Sequence, residues 1–88
     1  MIRVSTFTGT EQKITIEVES EEEAMAWEST YGMAIRIVDE ACEKYSKDKN
    51  YHEYNMQIQF AISLCQSSTA NALQSRARWK LKQLGIEL

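Results

Sequence analysis

Apolar and polar residues alternate in two runs at the start of the sequence, separated by a polar connection. In "IRVSTF" Ile2, Val4 and Thr6 share one face, and in "KITIEVE" Ile14, Ile16 and Val18 do the same, so a period of two predicts two strands. A hairpin whose paired residue numbers sum to 20 sets Ile2 opposite Val18, Val4 opposite Ile16 and Thr6 opposite Ile14. The same register sets Arg3 opposite Glu17, a favourable cross-strand charge pair that the apolar pattern did not require. Gly9, in the connecting "TGTEQ", can take the positive φ such a turn needs.

The period then changes. Ala24, Trp27, Tyr31, Ala34, Val38, Ala41 and Tyr45 recur at alternating spacings of three and four, one stripe of a long amphipathic helix. Ile35 and Cys42 widen that stripe. Met33 and Ile37 lie beside each other on a different flank and are the candidates for an oligomer interface. Ahead of the stripe, Ser20 can cap the helix, Glu23 can reach back in a capping box, and Glu21 to Glu23 suit the positive end of the helix dipole. The acidic run is read as a helix start and not as a metal site, because successive helical carboxylates diverge by about 100°. Gly32 interrupts the stripe at a cost of about 1 kcal/mol relative to alanine, and "SKDKN" closes the helix as a polar loop.

In "YNMQIQFAISLC" the residues at 54, 56, 58, 60, 62 and 64 are apolar. At a helical 100° per residue these six would spread round the circumference, so strict alternation predicts a third strand over 54–65, with Phe60 facing the core. The competing reading is a long buried helix, since Gln, Ala, Ser and Met are mediocre strand formers. The last segment, "SSTANALQSRARWKLKQLG", has Ser67 or Ser68 as cap, Ala70, Leu73, Ala77, Leu81 and Leu84 as buried stripe, and Gly85 as stop. The expected fold is α+β in the order ββαβα: a three-stranded sheet, strand order 2-1-3, with both helices packed on one face. The alternative is an N-terminal β-hairpin followed by two long antiparallel helices.

Composition adds limits. The 88 residues fit a single domain over 1–88, and 43% hydrophobic with 26% charged residues is ordinary for a soluble globular chain. No apolar run approaches a membrane span, and the N-terminus lacks the apolar core of a signal peptide, so a cytoplasmic location without membrane association is expected. Cys42 and Cys65 are too far apart in sequence for a close metal-binding pair and are expected to be reduced, buried thiols. His52 is the lone histidine. With no partner base, no glycine-rich phosphate loop and no paired His/Asp/Glu signature, the chain is expected to be no enzyme, with no catalytic residues, no cofactor and no metal.

Charge is uneven. Residues 1–53 carry 12 acids against 6 bases, whereas 54–88 carry Glu87 against Arg76, Arg78, Lys80 and Lys82, with Trp79 among them. Arg76 and Lys80 share one helix face, and Arg78 and Lys82 another. These five residues are the candidate contacts for a ligand or partner, with Arg76 and Lys80 the leading pair. The bland explanation is a helix end, where cations meet the negative pole of the dipole. The acidic chain would repel phosphates, so nucleic-acid binding by this helix is the secondary reading. In general form, acidic, short and without a catalytic constellation, the chain is similar to many small phage and plasmid proteins that act by binding something. The expected function is a non-enzymatic binding or inhibitor module, homo-oligomeric, that binds or sequesters a protein or a small anionic ligand.

Overall fold

The computed structural model describes residues 1–7, 13–66 and 69–87. Among them two strands precede three helices: β1 (Ile2–Phe7), β2 (Lys13–Val18), α1 (Glu21–Asp48), α2 (Tyr51–Leu64) and α3 (Ala70–Gln83). The strands pair antiparallel in the register that the sequence implied, with Ile2 opposite Val18, Val4 opposite Ile16 and Arg3 opposite Glu17. On the outer face Arg3 Nε donates to Glu17 Oε1 at 3.4 Å, and the Ser5 and Thr15 hydroxyls lie 3.0 Å apart. Val4, Ile14, Ile16 and Val18 are buried on the inner face. The expected turn at Gly9 lies outside the described residues.

α1 begins as its capping signal requires. The backbone N–H of Glu23 donates to Ser20 Oγ at 3.2 Å, while the Glu23 carboxylate accepts from the backbone N–H of Glu19 at 3.1 Å, one residue earlier than the usual capping box. Trp27, Tyr31, Ala34, Val38, Ala41 and Cys42 are its buried residues, and the rings of Trp27 and Tyr31 stack with centroids 5.1 Å apart. Most of "SKDKN" belongs to the helix. Lys49 alone turns left-handed, at φ 58°, and its N–H donates to the Tyr45 carbonyl at 2.9 Å. Asn50 then opens α2, its Oδ1 accepting from the Glu53 N–H at 3.1 Å.

The third strand expected over 54–65 does not form: that segment is α2, and the sheet has two strands, not three in the order 2-1-3 with both helices on one face. The hairpin followed by helices was the alternative, and the chain realises it with three helices instead of two. The reason is visible in which residues are buried. Ile58 and Ala61 are buried, and Tyr54, Ile62 and Cys65 pack against the core, a spacing of four, three, one and three that belongs to a helix. Phe60, expected inside, is 53% exposed. The alternation arose because α2 carries apolar residues on both faces, Ile58 and Ile62 inward, Met56 and Phe60 outward.

α3 buries Ala72, Leu73, Ala77 and Leu81, whereas Ala70 is half-buried and Leu84 is exposed. Its expected caps at Ser67 or Ser68 lie outside the described residues. Gly85 ends it as anticipated, at φ 81°. The Ile86 N–H donates to the Leu81 carbonyl at 2.9 Å and the Gly85 N–H to the Lys82 carbonyl at 3.1 Å, the paired bonds of a Schellman motif. The two-residue connection makes α1 and α2 antiparallel, and α3 runs alongside α1 in the same direction, with Arg76 at the level of Asp39 and Lys80 at that of Glu43. The α2 and α3 helices thus cover the C-terminal half of α1.

Candidate functional site

Three regions present chemistry: the basic face of α3, the outer face of α1 and α2, and the cleft between α2 and α3. In the first, Arg76 clasps Asp39 of α1 with two parallel bonds, Nε to Oδ1 at 3.0 Å and Nη2 to Oδ2 at 2.9 Å. Both side chains are largely enclosed, 16% and 24% exposed, and the hydrogen bond to Asp39 raises the arginine further above its ordinary range. The Arg76 guanidinium also lies over the half-buried Trp79 ring, 4.6 Å from its centroid. One turn on, Lys80 Nζ stands 3.5 Å from Glu43 Oε1. The leading pair of the basic segment therefore faces carboxylates of α1. Arg78 and Lys82 point away from α1 and are exposed, and Arg78 donates to Ser75 Oγ at 3.4 Å.

The second region is apolar at one end and charged at the other. Met33, Ile37, Glu40 and Lys44 form one ridge of α1, and Glu53, Gln57, Phe60 and Leu64 one ridge of α2, each stepping by three and four. Lys44 Nζ and Glu53 Oε1, 2.6 Å apart, tie the two ridges at one end. Because the helices are antiparallel, the end with Met33 and Ile37 lies beside the end with Phe60 and Leu64. Met33 is 53% exposed and Met56, one turn from Phe60, is 57% exposed. Ile37 is half-buried and packs against the core, so the two expected interface residues sit at this surface in different degrees. The strand reading put Met56 and Phe60 on an inner face, so neither was a candidate for this surface in the sequence.

Between α2 and α3 a cleft of about 150 Å³ opens beside Tyr51, Tyr54, Gln59, Gln74 and Arg78. A second hollow, near Tyr45, Lys44 and Glu53, measures about 10 Å³, no more than one water occupies. His52 is exposed on the first turn of α2, and neither hollow is lined by it. Glu21, Glu22 and Glu23 are exposed on the first turn of α1, and among the described residues no three His, Cys, Asp or Glu side chains gather to hold a metal. Cys42 is buried, its Sγ 3.5 Å from the Ala77 carbonyl, and burial pushes its thiol up to about 11. Cys65 was expected to be buried too, but it is only half-buried, and burial also raises its thiol. No helix among the described residues is long and apolar enough to cross a membrane. No family model matches this chain, and no curated protein or solved structure is significantly similar to it.

Proposed function

We propose that this chain is a small non-enzymatic binding module whose working surface is the paired ridges of α1 and α2, and that a second copy of the chain covers them. The observation that carries this is the double-sided apolarity of α2. A helix apolar on both faces belongs between two layers, yet α2 has α1 and α3 on one side while Phe60 and Met56 stand more than half exposed on the other. Half-exposed Met33, Met56 and Phe60 leave roughly 100 Å² each, a patch of the size that is often functional on a monomer. A stable interface takes roughly 800 Å² per partner, so the polar flanks of the ridges have to supply the remainder. The rim favours self-association. Arg36, Glu40, Lys44 and Glu53 balance in charge, so this surface can meet itself without the repulsion that a chain of net −3 meets elsewhere.

The nucleic-acid reading draws less support from the geometry. Arg76 and Lys80 already face Asp39 and Glu43, which leaves Arg78 and Lys82 as the exposed cations of α3. Two phosphate contacts limit the salt slope to about −1.8, roughly a 12-fold change between 50 and 200 mM salt.

Light scattering coupled to gel filtration tests the proposal. The chain should elute at twice its 10.2 kDa mass at micromolar concentration, and Met33→Glu with Phe60→Glu should yield a folded monomer. A wild-type chain that stays at 10.2 kDa at high micromolar concentration refutes it.

A further inference from the structure

The cleft lies on the opposite side of α2 from the apolar ridge. α2 leans on α1 far more than on α3, and the gap left between α2 and α3 has a floor of buried Ile58 and Ala77. Its walls are polar: Tyr51, Tyr54, Asn55 and Gln59 from α2, Gln74 and Arg78 from α3. We propose that this cleft binds a small planar organic anion, a single ring bearing one carboxylate or phosphate group, with Arg78 meeting the oxyanion.

The chain carries 13 acids and a net charge of −3, yet the lining of the cleft contains one cation and no carboxylate. An anion entering there meets a guanidinium, which forms short, paired, charge-assisted bonds to carboxylate and phosphate oxygens. Unlike Arg76, which is held by Asp39, Arg78 is exposed and bonds a neutral hydroxyl at 3.4 Å. Replacing that long contact by an oxyanion is a net gain.

The remaining lining selects the body of the ligand. Tyr51 and Tyr54 form one aromatic wall, with ring centroids 5.9 Å apart and planes tilted by 40°, suited to an offset ring contact. Asn55, Gln59 and Gln74 each offer a donor and an acceptor on one carboxamide, so they can match the polar edge of a ring. Burial pushes the Tyr54 phenol up to about 12, and its hydroxyl is hydrogen-bonded to the buried Cys42 thiol, so Tyr54 serves the cleft through its ring. Size sets the upper limit. The roughly 150 Å³ of the cleft falls short of the roughly 300 Å³ at which pockets for drug-sized ligands begin. One ring with one oxyanion fits; a dinucleotide does not.

The site does not depend on the ridge being an interface, and the experiment keeps the two apart. Benzoate, phenyl phosphate, neutral benzamide and inorganic phosphate are titrated into ¹⁵N-labelled protein, with chemical-shift changes and affinities followed by NMR. At least one of the two ring anions should shift the amides around Tyr51 to Gln59 and Gln74 to Arg78, and the tighter one names the oxyanion. Benzamide, of the same shape without the charge, and inorganic phosphate, the charge without the ring, should each bind at least about fivefold more weakly. Arg78→Gln should cost about tenfold in affinity, while Lys82→Gln, an exposed cation outside the lining, should leave it within about twofold. Both variants should keep the oligomeric state and the circular dichroism of the parent. The proposal falls if the shifts map to Met33 and Phe60, if benzamide or inorganic phosphate matches the ring anions, or if Lys82→Gln weakens binding as much as Arg78→Gln. Absence of binding by both ring anions at tens of millimolar also ends it.

Discussion

Arg76 shows how one side chain can read as a site in the sequence and serve as a clasp in the fold. The spacing of Arg76 and Lys80 placed both on one face, but nothing local showed that Asp39 and Glu43, four apart on α1, would present carboxylates at the matching pitch. Removing one partner of a largely enclosed, bidentate pair leaves the other charge poorly solvated, which costs more than an exposed ion pair is worth. Arg76→Ala and Asp39→Ala should each destabilise by about 1 to 3 kcal/mol, and the double variant by clearly less than the sum of the two. Urea unfolding of the four proteins measures the coupling. Additive losses would mean that the pair contributes nothing of its own.

Among the elements, α2 is the one that the pattern of the sequence misassigned. Six alternating apolar positions outweighed a helix signal that was also present, since Asn50 and Glu53 repeat the cap spacing of Ser20 and Glu23. Ile58, 5% exposed, belongs to the core cluster, so Ile58→Ala should cost about 2 to 4 kcal/mol. Phe60→Ala, two residues on, should cost the isolated chain under about 1 kcal/mol, because the ring is half in water already. Within an assembled dimer the same substitution should weaken association. Thermal unfolding at low concentration separates these effects, and a large loss at Phe60 in the monomer would place it in the core. For the hairpin, Ile16 is buried and Thr15 exposed, so the contrast between those neighbours holds as the alternation of β2 implies.

Across the whole molecule, buried phenols and thiols couple the core to pH. Burial pushes Tyr31 and Tyr54 up to about 12 and Cys42 up to about 11. Each is neutral when protonated, so a raised value means that the folded chain holds its proton more tightly than the unfolded one. The stability they contribute is complete below about pH 7.5, where an unfolded thiol is still protonated, declines as the unfolded thiol and then the unfolded phenols ionise, and is lost as pH climbs through about 11 and 12. Circular dichroism at 222 nm should show cooperative unfolding in that alkaline window, with tyrosinate absorbance rising together with it. Ionisation of all four tyrosines near pH 10 while the helices persist would contradict the enclosed placement of Tyr31 and Tyr54.

Local rules decided the elements whose partners lie close in sequence. The hairpin register follows from two alternating runs with a short connection, the start of α1 from Ser20 and Glu23, and the end of α3 from Gly85, because each is set by bonds spanning a few residues. The side of α2 that would be covered, the partners of Arg76 and Lys80, and the cleft beside Arg78 depend on where α1 stands relative to the other helices. That placement comes from packing Val38, Cys42, Ala61, Leu73 and Ala77 together across long stretches of chain. Burial and ion pairing are properties of such placement, since the same lysine or phenylalanine is solvated or enclosed according to what lies opposite it.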